Sequence, residues 1–316
     1  MPEPILSGAP MTRAQFLRLA AAAAASLAMG PKGLGAAPDA PGLMATRPIP
    51  ASGERLPVIG CGTHVGFDVS RDADTYRRLT GVLQALFEAG GTVIDSSPMY
   101  GRAEAVVGEL LAAAPPAWQP FLATKVWTRG RAAGIAQMEA SRQLLGTERI
   151  DLMQVHNLVD WRTHLATLRE WKAQGRIRYV GITHYTSRAY DEVEAVMRAG
   201  PLDFLQINYS LDEREAERRL LPLAAERGVA VVVNRPFGGG RLLQRLRDRP
   251  LPAWAADIGA ASWAQLLLKF VLAHPAVTCA IPGTGRPEHM ADNAGAGVGP
   301  LPDPAFWARH AASIER

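Results

Sequence analysis

Eight short apolar runs, separated by segments of helical periodicity, constrain this chain more than any other feature of its sequence. The runs cover residues 58–63, 92–95, 121–125, 150–156, 179–183, 204–208, 229–234 and 278–281. Each is bounded by Gly, Pro or polar residues, and several are β-branched, as strands buried on both faces should be. The segments between them are amphipathic; 76–89 is one, with Leu79, Val82, Leu83 and Leu86 on one face. Strand–helix alternation repeated eight times in about 230 residues predicts an α/β fold, a (β/α)8 TIM barrel forming a single domain. A doubly wound sheet is the alternative. Gly60-Cys-Gly62 lacks the third glycine that its dinucleotide-binding turn requires.

Composition narrows the function classes. Of 316 residues, 48% are hydrophobic and 20% charged, which excludes a disordered, collagen-like or multi-span membrane chain. The net charge of +4 is spread without a dense basic run, so nucleic acid is not an expected partner. Two cysteines, Cys61 and Cys279, cannot build a disulfide scaffold or a cysteine-based zinc site, and no metal is expected. They fall on the first and eighth runs, which become neighbours if the barrel closes, and are expected as two buried thiols.

The N-terminus differs from the rest. Residues 1–40 hold 12 alanines, and Thr12-Arg-Ala-Gln-Phe-Leu-Arg18 precedes an apolar run at 19–29. Eleven residues are too few for a bilayer span, which needs about 20, but a basic flank before a short apolar core is the plan of a cleavable export signal. The segment resembles a twin-arginine signal in which Ala14 stands where the second arginine belongs. The expected organisation is a signal-like segment with a Pro/Gly/Ala-rich linker at 1–44 and the barrel at 45–316. The expected location is the periplasm or another exported site, or the cytoplasm if the degenerate signal is not read.

A barrel confines chemistry to the C-terminal ends of its strands and the loops beyond them. Asp95, Lys125 and His156 end the second, third and fourth runs, and Tyr100 lies in the loop after the second. Singly, each has a structural explanation: a helix cap, a solvent-reaching strand end, a satisfied imidazole, a packing ring. Acid, ammonium, imidazole and phenol converging on one mouth predict a catalytic site.

The pieces Leu56-Pro-Val-Ile-Gly-Cys-Gly-Thr63, Ile94-Asp-Ser-Ser-Pro-Met-Tyr-Gly101, Ala123-Thr-Lys125, Asp151-Leu-Met-Gln-Val-His156 and Gln206-Ile-Asn208 resemble the aldo-keto reductases in order and spacing, from about residue 45 to 312. The resemblance implies an NAD(P)H-dependent oxidoreductase reducing aldehydes or ketones, with Asp95, Tyr100, Lys125 and His156 as its catalytic tetrad. Tyr100 is then the general acid, its phenol lowered by Lys125, which Asp95 holds charged; His156 orients the carbonyl. A non-catalytic nicotinamide-nucleotide-binding regulatory subunit on the same fold is the alternative.

The same resemblance assigns cofactor contacts. Thr183 and His184 stand where the family holds the carboxamide with a Ser-Asn pair, and Gln206 is the family's glutamine. Asn234 replaces the usual stacking aromatic, leaving Arg235 to cover the ring or reach the pyrophosphate, beside Gly238 and Gly239. At the adenosine end Thr284 and Asn293 are kept, Gly283 replaces a lysine and His289 an arginine, and Arg286 is the nearby cation for a 2′-phosphate. NADPH is the expected cofactor, with NADH possible. His64, Phe67 and Trp127 are expected at the substrate pocket; the partner is a small carbonyl compound, and the oligomeric state is not read from the sequence.

Overall fold

A two-stranded antiparallel hairpin opens the described part of the chain, residues 43–315 of a computed structural model. Its strands, β1 (Thr46–Pro48) and β2 (Arg55–Pro57), pair Arg47 with Leu56 around a turn in which Gly53 takes a φ of +77°. The hairpin lies at the start of the 45–316 expected for the barrel, but its three-residue strands, each ending in proline, carry no periodic signal and are not among the eight expected runs. Tertiary contacts hold it. Ile49 and Leu56 are buried in one apolar cluster with Phe121, Tyr179 and Phe204, which seals the floor of the barrel. The Arg47 guanidinium donates to the carbonyls of Leu272, His274 and Val277.

The eight expected strands follow as β3 (Cys61–Gly62), β4 (Val93–Asp95), β5 (Phe121–Val126), β6 (Ile150–His156), β7 (Ile177–Thr183), β8 (Phe204–Asn208), β9 (Ala230–Asn234) and β10 (Val277–Ala280). They form one parallel sheet in sequence order. Parallel bridges between Ile59 and Ala280 and between Gly62 and Gly283 join its two edges. The sheet thus curls into the arrangement of a (β/α)8 barrel, with helices packed outside.

Ten α-helices lie among the described residues. They are α1 (Ala73–Glu88), α2 (Ala103–Ala112), α3 (Arg131–Leu144), α4 (Trp161–Ala173), α5 (Tyr190–Ala199), α6 (Leu220–Arg227), α7 (Arg241–Leu246), α8 (Trp263–Ala273), α9 (Pro287–Gly295) and α10 (Pro304–Glu315). Helix α1 starts where the Asp72 carboxylate accepts the Thr75 N–H at 2.9 Å, and it buries Leu79, Val82, Leu83 and Leu86 as its periodicity predicts. Helix α2 lies so close to the end of α3 that a Cβ on Gly108 would sit 1.9 Å from the Leu144 carbonyl oxygen. No helix of the described residues is long and apolar enough to cross a membrane. The export-signal reading falls on residues outside the described ones.

Strand alternation divides the core into two layers. Val93, Phe121, Leu152, Tyr179, Phe204 and Val232 point inward; Ile94 and Leu122 point toward the surrounding helices. The two cysteines obey the same rule. Cys61 pairs in register with Ile94 and packs in the outer layer near α1, whereas Cys279 pairs with Val232 and belongs to the interior cluster. Both are free and buried, and burial pushes both thiols up, Cys61 to about 12.

Helix α8 is apolar on nearly every side, burying Leu266, Leu267, Leu268, Phe270, Val271 and Leu272. Lys269 is buried among them with 0% exposure, and its ammonium donates at 2.9 Å to the carbonyls of Val298 and Pro300. Burial lowers its pKa to about 8.

Candidate active site

Inward alternation puts the last residue of β4, the fifth of β5 and the last of β6 on the inner wall at one end of the barrel. These are Asp95, Lys125 and His156, all buried. Asp95 Oδ2 accepts the Lys125 ammonium at 2.7 Å, and Nζ also donates to the Ser96 carbonyl at 2.6 Å. Asp95 Oδ1 accepts two glutamine amides, from Gln154 at 3.2 Å and Gln206 at 2.8 Å. The carboxylate therefore carries three side-chain bonds, which hold it and aim the ammonium.

Tyr100 enters from the β4–α2 loop, with Lys125 Nζ 5.1 Å from its ring centroid and the His156 ring edge-on at 5.9 Å. The four residues read as a tetrad thus converge. Burial opposes the Lys125 charge, but Asp95 and Tyr100 together more than restore it, and its pKa is raised. For Tyr100 the balance differs from the sequence expectation. Burial raises the phenol above its ordinary value; Lys125 offsets this only in part, while Asp95 adds to it. The lysine acts with the expected sign but does not win in this state.

His156 is neutral: burial first, then Lys125, His184 and His64, lower its pKa to about 2. Its Nδ1 lies 2.9 Å from the Ser97 hydroxyl. Directly after it the backbone turns left-handed at three non-glycine residues, Asn157, Leu158 and Asp160, with φ of 51°, 57° and 48°. The Asp160 carboxylate fastens this turn by accepting the Gly130 N–H at 2.7 Å and the Thr163 hydroxyl at 2.8 Å.

The residues assigned to the cofactor lie on or after β7, β8, β9 and β10. Thr183 donates to Gln206 Oε1 at 3.0 Å, so its hydroxyl is linked through Gln206 to Asp95. The His184 carbonyl accepts Asn234 Nδ2 at 3.0 Å, which joins the ends of β7 and β9. Asn234 Oδ1 and Arg235 Nε are buried and have no hydrogen-bond partner among the described residues. Arg235 adopts a φ of +50° and stands over the Tyr185 ring at 5.8 Å, while Gly238, Gly239 and Gly240 are all left-handed. At the adenosine end Thr284 and Asn293 are buried, and Thr284 Oγ1 accepts the Arg286 N–H at 3.2 Å. The Arg286 side chain pairs with Glu288 at 2.5 Å, a carboxylate not considered in the sequence reading.

Two of the three pocket residues reach the mouth. His64 stacks obliquely on Tyr100 at 4.7 Å between centroids; Trp127 is 42% exposed and 6.3 Å from the His156 ring. Phe67 does not. It is completely buried with Leu79, Leu83 and Met290 in the outer layer, so it seals the wall behind the mouth and presents no surface to a ligand. Exposed Val65, Met99 and Tyr185 come from the loops after β3, β4 and β7.

Sequence reasoning missed three supporting groups. Gln154 lies two residues before His156 and therefore on the same inward face, a signal that period two could have supplied. Ser97 lies two residues after Asp95. Glu104, buried on α2, accepts the Thr124 and Ser141 hydroxyls, and burial raises its pKa.

Known proteins resemble this chain in sequence and in fold. The model of the aldo/keto reductase family matches residues 59–309. Methylglyoxal reductase YeaE of Escherichia coli is 31% identical over 246 residues, 76% of this chain and 84% of that protein. An NADH-specific methylglyoxal reductase of the same organism is 28% identical over 216 residues, covering 58% of this chain and 64% of that one. Among solved structures, an aldo-keto reductase of Klebsiella pneumoniae in complex with NADPH superposes with a TM-score of 0.68 at 26% identity, covering 84% of this chain and 94% of the other. By sequence and by fold, the chain belongs to the aldo/keto reductase family.

Proposed function

We propose that this NAD(P)H-dependent carbonyl oxidoreductase reduces aldehydes or ketones to alcohols, with Tyr100 as its general acid. The observation that carries the reading is the buried Asp95–Lys125 ion pair lying against Tyr100 and His156. A nicotinamide cofactor, when bound, supplies the hydride to the carbonyl carbon. Everything else falls to the chain. Tyr100 gives its proton to the developing alkoxide, and Lys125 stabilises the phenolate left behind. Asp95 keeps the ammonium charged and in place. His156, neutral, donates a hydrogen bond to the carbonyl oxygen, an interaction whose loss typically costs ~10²–10³ in rate.

The residues present fit such a cofactor. Asn234 Oδ1 and Arg235 Nε are buried polar atoms awaiting partners, and the left-handed glycines 238–240 let backbone N–H groups approach a pyrophosphate. Thr183, His184 and Gln206 would hold the carboxamide, and Thr284, Arg286 and Asn293 the adenosine end. The relatives bind NADP(H) in some cases and NADH in another, which supports NADPH with NADH admissible.

NADPH oxidation with a panel of simple aldehydes tests the reading. Turnover abolished by Tyr100→Phe is the expected result; turnover retained refutes the mechanism. Cofactor binding without turnover on any carbonyl would favour the regulatory-subunit alternative. We further propose that 1–44 is a cleavable export signal with its linker and that 45–316 is the catalytic domain. Fractionation with N-terminal sequencing of the mature protein checks this, and an uncleaved chain wholly in the cytosol would end it.

A further inference from the structure

Ser97 lies in the loop between β4 and α2 and is completely buried, two residues beyond Asp95. Its hydroxyl has two neighbours. The Met99 backbone N–H donates to Oγ at 3.3 Å, and His156 Nδ1 lies 2.9 Å from Oγ. Adjacent polar groups are occupied with each other: Thr63 donates to the Ser96 hydroxyl at 2.9 Å, and Lys125 takes the Ser96 carbonyl. Met99 supplies a donor, so among the described groups only Nδ1 can receive the Ser97 proton.

Proton counting then decides the imidazole. A neutral ring carries one proton, on Nδ1 or on Nε2. Were it on Nδ1, that nitrogen and Met99 would both donate to Ser97 Oγ. The serine proton would be left without an acceptor in a place closed to water, an unfavourable arrangement. With the proton on Nε2, all three groups are satisfied at once. We propose that Ser97 is a positioning residue for the carbonyl reduction: its hydroxyl donates to His156 Nδ1 and so fixes the ring proton on Nε2, the atom left to donate to the substrate oxygen.

The inference rests on the reading of His156 as the carbonyl-orienting donor and adds what makes it one. An imidazole in the other tautomer would present a lone pair to the carbonyl oxygen and repel it. Burial with Lys125 nearby keeps the ring neutral, so a second proton does not make the choice irrelevant.

Nitrogen-15 NMR of the full chain labelled at histidine reads the tautomer without turnover, with the His156 signals assigned by their loss in His156→Gln. The Nε2–H form is expected in the unsubstituted protein, a mixture of both forms in Ser97→Ala, and recovery of the Nε2–H form in Ser97→Thr. In parallel, kcat for an aldehyde is expected to fall about 10-fold or more in Ser97→Ala. The dissociation constant for NADPH should be unchanged, and Ser97→Thr should restore most of the rate. An Nδ1–H ring in the unsubstituted protein overturns the proposal even if the alanine variant fails to fold. So does Ser97→Ala with an unaltered tautomer. If the tautomer behaves as expected but His156→Gln leaves kcat intact, the role of Ser97 toward the ring stands and the carbonyl-orienting role of His156 falls.

Discussion

Replacing Lys269 by methionine weighs a buried charge against the hydrogen bonds it makes. Among the described residues the ammonium has no carboxylate partner; it is held by the carbonyls of Val298 and Pro300 and has a pKa of about 8 in place of 10.5. A depression of that size means that carrying the charge costs the folded state about 3 kcal/mol at neutral pH, at ~1.4 kcal/mol per unit. The unfolded chain binds the extra proton between about pH 8 and 10.5, so stability from this group rises with pH across that window and is lost as pH falls from 10.5 to 8. Methionine fills similar volume, removes the charge, and leaves two buried carbonyls without a donor, at about 1–3 kcal/mol each. At pH 7 the two effects oppose, and the variant should be close to the parent. By pH 10 the parent has shed most of its penalty and should be the more stable by about 2–3 kcal/mol beyond the pH 7 difference. Urea unfolding followed by tryptophan fluorescence at pH 7, 8, 9 and 10 measures this, because Trp307 packs against Phe270 of the same helix at 5.4 Å. Other groups titrate equally in both proteins and cancel in the comparison. A stability difference that does not change with pH would refute the reasoning, since Lys269 would then titrate alike folded and unfolded.

Four further outcomes follow from geometry already described. Asp95→Asn should lower the unfolding free energy by about 3–5 kcal/mol in urea titrations, because it leaves a fully buried ammonium without its carboxylate; a loss below about 1 kcal/mol would argue against a buried pair. With the His156 pKa near 2, kcat against pH should show no inflection from this ring between pH 5 and 8, and an acid limb there that vanishes in His156→Gln would contradict the assignment. Glu288→Gln should free Arg286 and tighten NADPH binding about 2–5-fold, as release of an exposed ion pair allows, with NADH unchanged in parallel calorimetric titrations. Gly108→Ala should lower the stability by about 2–3 kcal/mol, read as a fall in Tm, since the new methyl meets the Leu144 carbonyl and not a side chain that can turn away.

The parts legible in the sequence are those where burial or charge leaves a local mark. Strands buried on both faces read as apolar runs, and all eight are present, with ends moved by a few residues. Charged residues at strand ends are costly unless used together, which is why Asp95, Lys125 and His156 stood out and why they meet. The hairpin did not stand out, because what holds it is distant: Ile49 and Leu56 need the barrel floor, and Arg47 needs the end of α8. Phe67 misled because a loop aromatic beside a strand end can face either side, and only the path of the loop decides. Ser97 carries no charge and matches no spacing rule for catalysis, so its part is visible only once His156 is in place; Gln154 shares the inward face of His156 at period two, but no charge draws attention to it. The same holds for Glu288, whose effect on Arg286 depends on a two-residue turn into α9.

The placement of the two cysteines bears on where this barrel can operate. Cys61 faces the helices and Cys279 faces the interior, so the strand wall itself stands between their sulfurs. Closing a bond between them would require turning one strand over, which means unfolding the ring. With both thiols protonated at ordinary pH, neither offers an oxidant a thiolate to attack. The folded domain therefore has no covalent bond to gain in an oxidising compartment and none to lose in a reducing one. Crossing between the two would neither make nor break a disulfide in the folded barrel.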